Sequence, residues 1–234
     1  MNVLIIHAHP EPKSFTTALK DQAVEVLEGQ RHEVQVSDLY AMNWNPVASA
    51  DDFLERKGED YLVYALEQRH AVENKTLPAD IQGELDKLLW ADYVIFSFPI
   101  YWFSVPAILK GWIDRVLVSG ICYGGKRFYD RGGLAGKKAM VTCTLGGREH
   151  MFGEDGIHGP LEDMLRPLLR GTLRYVGFDV LEPFVGWHVP YVSNDVRKQY
   201  LDDYKTRLLN LDKVPVLDFP TLDQFDERLY PLQK

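Results

Sequence analysis

Only two cysteines, Cys122 and Cys143, occur in the 234 residues. That is too few for a disulfide framework, and the pair lacks the close spacing of a metal site. Cys143 falls in a strand pattern and reads as a small buried apolar residue. Positive charge is also short, with 26 Lys and Arg against 34 Asp and Glu, a net charge of −8. Nucleic acid and anionic membranes are bound by clustered Lys and Arg, so neither is an expected partner. No apolar run exceeds strand length and no membrane span is expected. Residues 1–6 open into a strand without a charged leader, so the expected location is cytoplasmic. The chain has no Gly-x-Gly-x-x-Gly and no Walker A lysine motif, which removes two common nucleotide fingerprints. It also lacks repeats, low-complexity runs and linkers, and residues 1–234 read as one domain.

What remains is ordinary globular composition, 46% hydrophobic and 26% charged, arranged as alternating strands and helices. Strands are expected at 2–8, 33–38, 91–97, 138–144 and 179–187, and helices at 14–29, 79–89, 106–117, 161–176 and 194–211. Residues 39–77 form a long polar segment with a turn at 43–46 and short helical patches. Segments of that length inside a domain usually carry function or meet another chain. Residues 212–234 form a short tail too apolar for solvent, expected to wrap its own domain or a second subunit. Together these give an α/β fold with a doubly wound, five-stranded parallel sheet in the order 2-1-3-4-5.

In such sheets ligands bind where loops leave the carboxyl ends of the strands, and three of these loops carry the candidate residues. After the first strand come His9, Ser14, Thr16 and Thr17. Free backbone N–H groups and the positive end of a helix dipole there make an anion site, and Ser14 reads equally as a simple N-cap. After the third strand, Pro99 and Ile100 lead into three consecutive aromatics, Tyr101, Trp102 and Phe103. One aromatic could close the core, but three on a loop point to a flat aromatic ligand. After the fourth strand, Gly146 and Gly147 allow close backbone approach, although such a pair is often only a turn.

The residues just described, with Phe15, the 37–42 segment Ser-Asp-Leu-Tyr-Ala-Met, Gly156 to Gly159 and Gly177 to Pro183, resemble the flavodoxin-like NAD(P)H dehydrogenases (quinone), the DT-diaphorase type. The 98–112 stretch, from Phe98 through Pro106 to Trp112, is the most specific part. The similarity runs from the first strand to at least Leu209.

The resemblance implies a flavoprotein that reduces quinones by two electrons through ping-pong hydride transfer from NAD(P)H. His9, Ser14, Phe15, Thr16 and Ala18 match positions that hold the flavin diphosphate. Pro99 to Phe103 match those cradling the isoalloxazine, and Thr144, Gly146 and Gly147 those along its pyrimidine edge. Tyr64, Val189, Arg197 and Leu201 match the adenine pocket, which favours FAD over FMN. His158 matches the catalytic histidine near flavin N1 and O2. Tyr123 and Tyr175 match aromatics laid over the substrate pocket by a second subunit, which implies a homodimer. Phe152 and Gly125 replace two tyrosines of the mammalian members. Arg170 and Arg174 occupy the positions of two zinc-binding histidines in a short paralogue, so no metal is expected. Two other readings stay open, an ancillary flavoprotein subunit of a potassium-efflux system and an azo- or nitroreductase.

Overall fold

The computed structural model describes residues 1–232. In chain order the elements are β1 (Asn2–His7), α1 (Phe15–Gly29), β2 (Glu33–Asp38), α2 (Tyr64–Asn74), α3 (Ala79–Trp90), β3 (Tyr93–Pro99), α4 (Ala107–Val116), β4 (Lys138–Thr144), α5 (Leu161–Leu168), β5 (Asp179–Val180), β6 (Phe184–Gly186) and α6 (Asn194–Leu209). The strands form a parallel sheet in the expected order, β2-β1-β3-β4-β5, with β6 also paired to β4. Successive side chains of a strand point to opposite faces, so each central strand feeds two cores. Val3, Ile5 and Ile95 pack with Leu19, Ala23 and Leu27 of α1 and with Tyr204 and Leu208 of α6. Leu4, Ile6, Val94 and Phe96 pack on the other face with Leu85 and Leu88 of α3, Leu109 and Trp112 of α4, and Leu165 of α5. Full burial of one such aliphatic side chain contributes about 1.5–3 kcal/mol, so the two cores fix the strand ends that carry the loops.

Three expectations are corrected. The fifth strand is broken, because Pro183 has no N–H for a ladder; β5 and β6 each pair with β4 on either side of it. The helix expected over 161–176 is α-helical only to Leu168 and continues as a wider π turn, Leu169–Arg174. Pro167 lies inside it, and the Thr172 hydroxyl donates to the Pro167 carbonyl at 3.1 Å, bonding a carbonyl in the disturbed turn. The 39–77 segment holds one full helix, α2, besides a short 3-10 turn at Ala50–Asp52, where only short patches are expected.

One tie between that segment and the body is a buried cation. The Arg115 guanidinium, on α4, donates to Asp52 Oδ1 at 2.7 and 3.0 Å, to Asp80 Oδ2 at 2.8 Å and to the Asn45 carbonyl at 2.9 Å, and lies 4.6 Å from the Trp44 ring centre. Asp52 also accepts from the Tyr64 hydroxyl at 2.6 Å and from the Ser49 N–H at 3.2 Å. Burial opposes the charge on Asp52, but the Arg115 and Tyr64 hydrogen bonds outweigh it and hold the carboxyl below its ordinary pKa.

The tail covers the sheet edge of its own chain. Leu217 N–H donates to the Val180 carbonyl at 2.8 Å, Val216 bridges Leu181 in antiparallel fashion, and Leu217 and Phe219 pack on the core. An edge strand as short as β5 is thereby closed to foreign pairing.

Candidate active site

The loops after β1, β3 and β4 enclose a cleft of about 550 Å³, lined by His9, Lys13, Ser14, Phe15, Thr16, Ala18, Pro99, Ile100, Tyr101, Thr144, Leu145, Gly146, Val189, Pro190 and Arg197. The lining contains no Asp or Glu but two permanent cations, on a chain whose net charge is −8. Such a cleft selects an anion.

The first wall is the start of α1. Ser14 is its N-cap, accepting from Thr17 N–H at 3.1 Å, and the first turn carries no acid. Among the described residues, the N–H groups of Phe15 and Thr16 have no partner, which leaves two donors at the positive end of the dipole. His9 Nδ1 accepts from the Glu11 N–H at 3.0 Å, so the ring proton sits on Nε2. Desolvation lowers the His9 pKa, which favours this neutral donor form.

The second wall is a turn under strain. Tyr101 and Ser104 exchange two backbone hydrogen bonds of 3.0 Å, and Trp102 and Phe103 between them have φ of +48° and +60°. This pattern is a two-residue type I′ turn, which Asn-Gly normally fills because both centres must be left-handed. Two bulky aromatics there cost on the order of 1–3 kcal/mol each, the kind of strain that clusters at functional sites. Trp102 is 95% exposed and Phe103 49% exposed, and neither has a partner for its backbone N–H among the described residues.

The third wall is the glycine pair. His188 Nδ1–H donates to the Gly146 carbonyl at 2.6 Å and its backbone N–H donates to the Gly147 carbonyl at 2.8 Å. Both carbonyls are thus occupied, while the Gly146 and Gly147 N–H groups have no partner among the described residues. A Cβ on Gly147 would lie 2.6 Å from Phe152 Cε2, so the packed ring excludes a side chain there. Thr16 and Thr144 hydroxyls, both buried, join the first and third walls at 2.7 Å.

The comparisons agree with this architecture. The model of the flavodoxin-like fold family matches residues 1–208. Mouse ribosyldihydronicotinamide dehydrogenase [quinone] is 45% identical over 212 residues, 90% of this chain and 92% of that protein. Rat NAD(P)H dehydrogenase [quinone] 1 is 42% identical over 224 residues, covering 95% and 82%. A solved Klebsiella pneumoniae chain assigned as a quinone reductase superposes with a TM-score of 0.94 at 38% identity, over 99% of this chain and 93% of that one. The chain belongs to the flavodoxin-like NAD(P)H dehydrogenases (quinone).

Not every residue that the family pattern singles out reaches the cleft of one chain. Tyr64 does not, because its hydroxyl is engaged by Asp52 and its ring packs 5.0 Å from Phe53. Leu201 instead packs partly buried on the α1 face of the core. Only Val189 and Arg197 of the adenine set line the cleft, Arg197 held by the Val189 carbonyl at 3.0 Å. Tyr123 and Tyr175 lie 5.8 Å apart, with Phe128 stacked on Tyr175, away from the cleft lining. Trp102, Phe103 and Gly147 flank the cleft through their neighbours Tyr101 and Gly146 rather than lining it. His158 is exposed, with its ring centre 5.1 Å from Phe103 and 4.8 Å from Phe152, and its side chain has no hydrogen bond among the described residues.

Lys13, Leu145, Pro190 and the loop-fixing His188 escape a reading of the sequence. Lys13, a cation just before the helix cap, is the one with a visible signal. No group of three His, Cys, Asp or Glu suited to a metal occurs among the described residues, and no helix there is long and apolar enough to cross a membrane.

Proposed function

We propose that the cleft holds a flavin and that the protein uses it to reduce quinones with NAD(P)H. The observation that carries this is the set of unpaired N–H groups from three strand ends around one acid-free cleft. Six donors, from Phe15, Thr16, Trp102, Phe103, Gly146 and Gly147, suit a ligand with a phosphate at one end and a flat ring rich in acceptors at the other. The volume suits a cofactor of that size. The protein is an oxidoreductase of the quinone reductase type.

The flavin, when bound, supplies the two-electron hydride chemistry. The chain's own part is to bind and orient. The α1 N-terminus with His9 and Lys13 takes the phosphates, the Tyr101 to Phe103 turn supports the ring, and Gly146 and Gly147 donate to its polar edge. His158 stabilises negative charge at that edge from the rim. Its aromatic neighbours, Phe103 and Phe152, hold the imidazole in place without a hydroxyl relay.

Arg197 and Val189, the two residues of the adenine set that line the cleft, support FAD over FMN. Chromatography of heat-released cofactor tests this, and FMN alone would refute the adenine pocket while leaving the fold intact. Exposed Trp102 and the distant Tyr123 and Tyr175 support a homodimer in which a second copy covers each site. Sedimentation should give about twice the monomer mass. Anaerobic stopped flow then decides the reaction: NAD(P)H should bleach the flavin and quinones should restore it, with azo dyes and nitro compounds slower. Failure of any quinone to reoxidise the reduced protein would overturn the substrate class.

A further inference from the structure

His7, the last residue of β1, is 1% exposed and lies outside the cleft lining, yet both ring nitrogens are engaged. Nδ1 is 3.1 Å from the Ser97 hydroxyl on β3, and Nε2 is 3.2 Å from the Thr17 hydroxyl on α1. The surrounding hydrogen bonds pair every member of this network in either tautomer of the ring. The Thr17 hydroxyl reaches the Glu11 carbonyl at 3.2 Å; when its proton goes there it accepts from His7, and otherwise it donates to His7 Nε2. Ser14 Oγ accepts from Thr17 N–H and sits 2.9 Å from Thr17 Oγ1, to which its own proton goes. His7 thus donates to one of the Thr17 and Ser97 hydroxyls and accepts from the other, linking α1 to β3 in either case. Every member of the chain Ser97, His7, Thr17, Ser14 is satisfied, the condition under which a buried polar network rigidifies rather than weakens a core. Desolvation lowers the His7 pKa to about 4, so the ring stays neutral at physiological pH.

We infer that His7 is a positioning residue for the anion end of the cleft: through Thr17 and Ser14 it fixes the first turn of α1 so that the free Phe15 and Thr16 N–H groups are aimed at a phosphate. The N-cap alone orients the helix start relative to itself. His7 adds the tie to the sheet, on β1 itself and through Ser97 to β3, the strand that leads into the Tyr101 to Phe103 turn, so the phosphate donors and the ring support share one frame. An apolar residue at this position would fill the space but leave Ser97 and Thr17 each short of a partner.

The inference rests on the reading of the cleft as a flavin site. Its test is titration of apoprotein with FAD and with riboflavin, which lacks the phosphates, in the wild type, His7→Phe, His7→Gln and Thr17→Val. His7→Phe should weaken FAD about tenfold more than riboflavin, the usual effect of one lost buried hydrogen bond. His7→Gln, which keeps a donor toward Thr17, should recover part of that ratio. Thr17→Val should reproduce the loss, and adding it to His7→Phe should bring little more, as expected within one network. If His7→Phe does not fold, His7→Gln and Thr17→Val carry the same comparison. A ratio of FAD to riboflavin affinity unchanged in the folded variants would overturn the role of His7 and leave the flavin reading standing. Wild-type apoprotein that binds neither flavin would overturn both.

Discussion

Two polar regions in this chain are built on opposite rules. Around Arg115, the guanidinium meets Asp52, Asp80 and the Asn45 carbonyl, and Asp52 takes Tyr64 and Ser49 besides. In and beside the cleft, six backbone donors have no partner among the described residues, and no acid lines the wall. Arg115 and Asp52 are buried and paired, as buried polar groups normally are, so that cluster is an anchor, while the donors around the cleft, several of them exposed, are open to a ligand. The family pattern does not separate the two, since it places Tyr64 with the second and the fold places it in the first.

The sharpest break of that contrast is Arg115→Ala. It strands the Asp52 carboxylate, 3% exposed, and should cost about 3–5 kcal/mol of stability in a urea or guanidinium titration. The folded fraction should keep its cofactor. Loss of cofactor from protein that is still folded would mean that the 39–77 segment belongs to the site after all.

The next test uses acid. The folded pKa of His7 is about 4 and its unfolded value about 6.5, because burial disfavours the charged ring; Asp38 and Asp21 oppose that, while Lys20 and His9 add to it. Between the two values the unfolded chain holds the extra proton, so stability is complete above pH 6.5 and falls as pH drops toward 4, by about 1.4 kcal/mol per pH unit. His7→Phe should remove that slope from a series of denaturant titrations across the window. An identical slope in the variant would assign it to the other histidines with lowered pKa, His9 and His32, because Asp52, held below its ordinary 3.8, acts only at lower pH.

How much of this was legible beforehand follows from which forces leave a pattern in sequence. β1, β3 and β4 are buried on both faces and read as near-continuous apolar runs, so strand order and the three ligand-bearing loops were accessible. α2 was not, because two of its three buried residues are Glu67 and Gln68. Glu67 accepts from the Lys57 and Gly58 N–H groups, and Gln68 binds the Asp114 carbonyl and the Ser119 N–H. A helix held by polar side chains bonding distant backbone shows no apolar stripe. The break at Pro183 was visible as a residue, but its outcome depended on the tail arriving at the same edge. Trp102 and Phe103 stood out as aromatics, whereas their left-handed backbone is a property that nothing in their chemistry announces.

A smaller effect separates charge from structure within the cleft. Lys13→Gln and Arg197→Gln should each leave stability within about 0.5 kcal/mol, since neither supports the core. Each should weaken flavin binding several-fold at low salt, with the difference shrinking as salt rises and screens the exposed cations. Equal losses at low and high salt would point to shape rather than charge. Arg197 is the more exposed to that outcome, because its guanidinium already holds the Val189 carbonyl.

The last effect concerns the rim of the cleft, beside the unpaired donors. His158 has no side-chain hydrogen bond among the described residues and is flanked by Phe103 and Phe152. Phe152 is held from behind by Trp187, 5.4 Å away, and closes over Gly147. If His158 steadies charge that develops only as hydride arrives, His158→Ala should lower the rate of flavin reduction by NAD(P)H more than it changes binding of either cofactor. A donor in a water-excluded hole contributes on the order of a hundredfold, and this exposed ring should show roughly tenfold. Phe152→Tyr, which restores a hydroxyl beside the imidazole, should leave flavin content unchanged and raise the reductive rate at most about twofold, because the ring is already fixed by packing. Anaerobic stopped flow on both variants reads the two predictions together. An unchanged rate in His158→Ala would reduce the histidine to a loop residue and leave the charge to the Gly146 and Gly147 N–H groups. A large gain in Phe152→Tyr would mean instead that His158 lacks a proton partner in this chain, and that packing alone does not replace the missing hydroxyl.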